Sequence, residues 1–192
     1  MKELIVFIDS GDTLIDESTE VRDETGTVIH SELFPGAGEA LSQLYQKGYT
    51  IALVADGSEA SFDNIYKQHG LAHCFAARAI SEVLNDAKPS AAMFRHAMQA
   101  LHLTNGDLHR IVMVGNNLKR DIVGANRMGI TSILLSCSPR YVMQPESDEE
   151  MPDYVVAEPG ELVALLEQLD LQVKNRRILY QTKHINAAAA GK

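Results

Sequence analysis

Residues 2–14 read KELIVFIDSGDTL, and the fold follows from this stretch. A short, β-rich apolar run from Leu4 to Ile8 meets Asp9 and then the turn residues Ser10, Gly11 and Asp12. It therefore reads as a first strand that ends at a carboxylate. No small-residue cleavage site follows it, which separates it from a secretory leader.

Outward from that strand, further β-rich runs fall near 50–55, 76–81, 111–115, 131–135 and 153–156, the first strand itself spanning about 3–9. Segments of helical period lie between them. This alternation predicts an α/β fold, a three-layer, doubly wound, Rossmann-like parallel sheet with helices on both faces. Over 36–48, GAGEALSQLYQKG puts Ala40, Leu41, Leu44 and Tyr45 on one helical face and stops at a glycine. Similar helices are expected over 61–69, 91–101, 118–128 and 160–169, with Pro35 and Pro89 marking boundaries. The insertion between the first strand and the first helix, 16–34, reads as a β-hairpin turning around Glu24-Thr25-Gly26. Residues 138–152 are proline-rich and acidic and read as an exposed loop, and the closing AAAAGK as a frayed end. The expected organisation is one domain over 1–172, the hairpin included, and a tail over 173–192.

Composition narrows the function classes. A length of 192 residues with 45% hydrophobic and 22% charged residues suits one soluble domain. No apolar run approaches the roughly 18 residues that cross a bilayer. The net charge of -9 disfavours binding to nucleic acid or anionic membrane, and KNRR at 174–177 is too short a basic run to reverse that. Cys74 and Cys137 have neither metal nor redox spacing, so they read as ordinary thiols of a reducing, cytoplasmic compartment.

In doubly wound sheets ligands sit beyond the carboxyl ends of the strands, where strand order reverses. The residues at those ends are Asp9-Ser10-Gly11-Asp12, then Ala55-Asp56-Gly57-Ser58, then Lys88-Pro89, and Gly115-Asn116-Asn117 with Asp121 following. Each has a plainer reading on its own. Asp9 could be a turn residue, Lys88 a solvated lysine, Ser58 a helix cap, and Lys119 and Arg120 exposed charges of a first helical turn.

Taken together and in order, FIDSGDTL, LVADG, AKPSAAMF and VMVGNNLKRDIVGANRMGI resemble the sequence motifs of the haloacid dehalogenase superfamily, over nearly the whole chain. The resemblance implies a covalent mechanism. Asp9 would attack a phosphoryl group and water would hydrolyse the aspartyl intermediate. It also implies Mg2+, held by the Asp9 carboxylate, the Gly11 carbonyl, Asn116 and Asp121, with Lys88 neutralising the nucleophile and the transferring group. Asp56, Gly57, Ser58 and Lys88 would meet the phosphate. The implied partner is a phosphorylated small molecule or a larger phosphorylated substrate. The absence of a large cap leaves the site open to the latter, or to a second subunit of a homo-oligomer with the hairpin as a contact.

Three positions depart from the pattern. Gly11 stands where the general acid and base would be, a group worth about 10²–10⁴ in rate, with Asp12 one residue later as a substitute. Ala55 replaces the small hydroxyl residue at the end of the second motif, with Ser58 three residues on. Asn116 replaces the first acid of the fourth motif and removes one negative charge. Three readings follow: a capless Mg2+-dependent phosphatase, a non-catalytic or regulatory binding protein on the same fold, and a metal-independent dehalogenase-type hydrolase. The third expects a large helical cap, for which 15–34 has no room.

Overall fold

The computed structural model describes residues 2–141 and 143–190, with side chains through 179. Its central strand is β1 (Ile5–Ile8), buried along its whole length. A hairpin of β2 (Ile15–Arg22) and β3 (Val28–Leu33) follows, then α1 (Ala37–Gln46), β4 (Thr50–Ala55), α2 (Glu59–Gln68) and β5 (Ala77–Ile80). After a short α3 (Ser81–Leu84) come α4 (Ala91–Ala100), β6 (Ile111–Gly115), α5 (Val123–Met128), β7 (Thr131–Leu135), β8 (Tyr154–Val156) and α6 (Glu161–Ala190).

Six strands form one sheet in the order β5-β4-β1-β6-β7-β8, and every pair is parallel. From β1 the chain builds outward through β4 and β5, then returns to β1's other edge and builds through β6, β7 and β8. Strand order therefore reverses between β1 and β6, and Asp9 and Asn116 are the next residues after them. Sequence reading anticipated this three-layer sheet and its helices.

The pleat of β1 divides the core. Val6 and Ile8 face one layer with Leu41 and Leu44 of α1, Tyr66 of α2 and Leu166 of α6. Ile5 and Phe7 face the other with Met93, Phe94 and Ala97 of α4 and Ala125 of α5. Each such large side chain contributes about 1.5–3 kcal/mol by leaving water, so β1 is anchored from both faces before any polar contact is counted. Its N-terminal end is pinned as well. The amides of Glu3 and Leu4 donate to Asp170 Oδ1 of α6 at 2.8 and 3.1 Å.

The hairpin matches expectation in position and turn. The Asp23 amide donates to the Thr27 carbonyl, and Gly26 takes a positive φ of 86°. β3 is fastened to α2 by side chains. The Val28 amide donates to Ser61 Oγ, Asn64 donates to the Val28 carbonyl, and Gln68 donates to the Ser31 carbonyl. Pairing within the hairpin is irregular, because β2 advances from Asp16 to Val21 while β3 moves only from Glu32 to His30. Such a bulge re-aims side chains, and Glu17 lies inside it.

Three local expectations change. The stretch 138–152 is not wholly exposed, since Ser138 and Glu150 are buried, Asp148–Glu150 forms a helical turn, and Arg140 bonds to Asp12. Its polar composition hid these ion pairs. The helix read over 160–169 continues as α6 to Ala190, through residues read as a tail, and Val173 at the start of that extension still packs on the core. Of the end expected to fray, 187–190 continue α6, and 191–192 lie outside the described residues.

Candidate active site

Asp9 follows β1 directly, and its amide donates to the Val114 carbonyl of β6 at 2.9 Å, extending the sheet by one bond. The turn beyond it is tied down from α2, where Tyr66 and Ser10 share a buried hydroxyl contact of 2.8 Å. Burial pushes the Tyr66 hydroxyl up, so it stays neutral across the working range.

Lys88 reaches the same point from the loop before α4. Its Nζ lies 2.6 Å from Asp9 Oδ1 and 2.7 Å from Asp121 Oδ1, and its side chain is 1% exposed. Burial works against the ammonium charge, but the surrounding carboxylates of Asp121, Asp9 and Asp56 outweigh it and hold Lys88 above the ordinary lysine value. Asp56 also positions this lysine, accepting the Lys88 backbone amide at 3.0 Å and facing Arg120 at 3.5 Å.

Asp121 comes from a π-helical turn, Leu118–Ile122, that leads into α5. Asn117 caps this turn by accepting the amides of Lys119 and Arg120. The Asn117 amide in turn donates to Asp121 Oδ2 at 3.0 Å. Gly115 makes room for this arrangement, because a Cβ there would overlap the Asp121 carboxylate. Asp121 is fully buried. Burial raises its carboxyl above the ordinary range, with Lys88 opposing and Asp9 adding to the rise.

Between these groups lies a cavity of about 30 Å³ lined by Asp9, Gly11, Asp56, Lys88, Asn116 and Arg120, and also by Glu17 and Tyr141. It has room for an ion or a water, since a water needs roughly 10–15 Å³. The donor set suits a hard divalent cation. Carboxylates outnumber the ammonium and guanidinium groups around it, and no donor reaches the Gly11 carbonyl among the described residues. The buried Asn116 Nδ2, also without a partner among those residues, is a donor that a water or an anionic oxygen would satisfy and a cation would not.

The expected residues thus divide. Asp9, Gly11, Asp56, Lys88 and Asn116 meet at one cavity, with Asp121 directly beneath Lys88. Gly57 and Ser58 have other partners. The Gly57 amide donates to Ser81 Oγ at 2.8 Å, and the Ser58 hydroxyl caps α2 at the Ser61 amide. They line an adjoining cavity of about 160 Å³ beneath the hairpin, together with Ser10, Ile15, Glu17 and Phe62. Asp12 turns to Arg140 at 3.0 Å and does not line the cavity that holds Asp9. Lys119 is an exposed partner of Glu146, whereas Arg120 faces the site.

Comparison with known proteins agrees with this geometry, since the family model for haloacid dehalogenase-like hydrolases matches residues 4–129, which spans every strand end just described except those beyond α5. The chain belongs to that family. Among curated relatives, a phosphoglycolate phosphatase of Agrobacterium fabrum is 31% identical over 140 residues, covering 72% of this chain and 57% of the relative. A glyceraldehyde 3-phosphate phosphatase of Methanopyrus kandleri is 28% identical over 136 residues, covering 71% and 57%. The match spans little over half the length of these relatives. The L-2-haloacid dehalogenase of Xanthobacter autotrophicus shares the fold, with a TM-score of 0.69 at 15% identity over 87% of this chain and 99% of that one.

Sequence reading of this haloacid dehalogenase-like chain missed Glu17, Arg140 and Tyr141. Glu17 folds back over Gly11, so that a Cβ on Gly11 would overlap its carboxylate. Burial, with Asp12 next, raises the Glu17 carboxyl above the ordinary range, and Arg140, which bonds to it, opposes this in part. The one sequence signal is its spacing of two from the buried Ile15, and the bulge after Asp16 keeps that spacing from being decisive.

Proposed function

We propose that the protein is a Mg2+-dependent phosphatase of small phosphorylated metabolites, with Asp9 as nucleophile and an aspartyl-phosphate intermediate. One observation carries the reading: Lys88 Nζ bridges Asp9 at 2.6 Å and Asp121 at 2.7 Å at the point of strand reversal. Of these two carboxylates only Asp9 lines the cavity, its side chain 12% exposed against 0% for Asp121. A carboxylate oriented by a buried ammonium, with its free edge toward an anion site, is poised for attack on phosphorus.

The Asp9 oxygen bonds to phosphorus as the bond to the leaving group breaks, and water then cleaves the acyl phosphate to regenerate Asp9. Lys88 orients Asp9 and offsets the charge on the transferring group. Asp9, the Gly11 carbonyl and Asn116 would hold Mg2+, with Asp121 behind them anchoring Lys88, and the ion would supply further charge neutralisation between the two anions. The phosphatases similar to this chain are named for two- and three-carbon phosphates, and the 160 Å³ cavity beside the site suits a substrate of that size. Among the described residues no helix is long and apolar enough to cross a membrane. Two free cysteines fit a cytoplasmic setting.

The test is turnover of 4-nitrophenyl phosphate during a Mg2+ titration, for wild type and Asp9→Asn. Activity that rises with Mg2+ in wild type and is lost in a folded Asp9→Asn variant is expected. A wild type inert at saturating Mg2+, or an active Asp9→Asn, overturns the reading.

A further inference from the structure

We infer that Glu17, carried by the hairpin, is the proton-transfer residue of this enzyme, and that it works in the space that Gly11 leaves open. The inference rests on the phosphatase reading above.

Three observations on the geometry lead to it. A side chain at position 11 and the Glu17 side chain in its present place are mutually exclusive, because a Cβ built on Gly11 would overlap Glu17 Oε1 and Cδ. Gly11 is absent from the residues of positive φ, so no backbone requirement explains the glycine. What it provides is room, and Glu17 fills that room. Glu17 also lines both the cavity that holds Asp9 and Lys88 and the adjoining cavity beneath the hairpin. A group at that junction stands between the nucleophile and the larger space available to a leaving group.

The hairpin explains how a residue so far along the chain arrives there. Ile15 anchors β2 in the core, the bulge after Asp16 breaks the regular pairing, and Glu17 turns back over the Asp9 loop. Arg140 then bonds to both Asp12 and Glu17 and fixes the approach. Asp12 shares that arginine but does not line the cavity that holds Asp9, whereas Glu17 does, and of the other acids there Asp56 accepts the Lys88 amide and faces Arg120, which leaves Glu17 as the acid at the nucleophile.

The proton accounting closes with this one residue. As the Asp9 oxygen bonds to phosphorus, the phosphorus–oxygen bond to the leaving group breaks and that oxygen takes the proton of the Glu17 carboxyl. In the second step Glu17 carboxylate takes a proton from water as the water oxygen bonds to phosphorus. The bond to Asp9 breaks, phosphate leaves, and Glu17 is again the acid.

The experiment compares wild type, Glu17→Gln and the double variant Gly11→Asp/Glu17→Ala on phenyl phosphate and 4-nitrophenyl phosphate at saturating Mg2+, with thermal unfolding run alongside. A basic leaving group needs its proton and a good one does not. Glu17→Gln should therefore lose roughly 10²-fold or more in kcat/KM on phenyl phosphate and less than about tenfold on 4-nitrophenyl phosphate. It should also release nitrophenolate in a stoichiometric burst before slow turnover, because the water step has lost its base. Gly11→Asp/Glu17→Ala should recover phenyl phosphate turnover by returning a carboxyl to the same space. An equal fall on both esters, or no fall, in a Glu17→Gln variant that unfolds like wild type overturns the role of Glu17 and leaves the phosphatase reading intact. A wild type inert to both esters overturns the two together.

Discussion

The two ends of β1 each hold a buried aspartate facing lysine, and they behave in opposite ways. At the N-terminal end Asp170 is 1% exposed, and at the C-terminal end Asp121 is 0% exposed. Asp170 accepts two backbone amides and Lys174 Nζ at 2.7 Å, with Lys2 at 3.5 Å. Burial pushes its carboxyl up, but the Lys174 bond and the two amides win and hold it below the ordinary range. Asp121 has a comparable ammonium contact and one amide, yet it shares that ammonium with Asp9, and its carboxyl is raised. Burial is the largest influence on both carboxyls and pushes both up; the donors at Asp170 outweigh it, while those at Asp121, where the ammonium is shared with Asp9, do not. An over-satisfied carboxylate makes a joint, while an under-satisfied cluster makes a site that a cation can complete.

The harshest way to break this contrast is Lys88→Met. It removes the shared cation and leaves two carboxylates buried without it, so activity should disappear and stability should fall by about 3–5 kcal/mol in urea unfolding at neutral pH. A variant as stable as wild type would mean the cluster is better solvated than its burial implies. Next in size is Asp170→Asn, which weakens the joint and should cost about 1–3 kcal/mol while kcat/KM holds. Its pH dependence has a definite sign. The folded-state value lies below the unfolded value near 3.8, so this stability is fully present above 3.8 and is lost as the pH falls through the folded-state value. Unfolding of wild type and variant should converge in acid, and a gap that widens there contradicts the assignment. Asp121→Asn sharpens the comparison, since it relieves the shared lysine of one acid. It should lower the midpoint of thermal unfolding less than Asp170→Asn does, yet clearly lower turnover, because Lys88 loses the partner that holds it beside Asp9. The smallest effect belongs to Lys119→Ala, whose exposed pairing with Glu146 should leave both unfolding and turnover unchanged. A clear loss of turnover there would bring Lys119 into the site.

The sheet was legible because burial on both faces leaves a mark on composition: LIVFI at 4–8 and IVMVG at 111–115 cannot stand in water. The acids and the lysine at the strand ends were legible because order along the chain maps onto order around the crevice. Glu17 was not. Its placement depends on a bulge, on a glycine's empty volume and on an arginine 123 residues away, three facts that no local pattern encodes. Ser58 shows the reverse case, in which a polar residue at the right distance from Asp56 is spent on the cap of α2. Composition likewise made 138–152 look like open loop, although Tyr141 lines the cavity and Arg140 bonds to Asp12 and Glu17.

The most direct test of the account is chemical capture of the intermediate. Wild type would be treated with Mg2+ and acetyl phosphate, reduced with borohydride, digested and mapped by mass spectrometry, because borohydride converts an aspartyl phosphate to homoserine. The account predicts homoserine at position 9 and at no other aspartate, dependent on Mg2+. Turnover of the same donor with Asp9 recovered unmodified, or with the label at Asp12, Asp56 or Asp121, would contradict it.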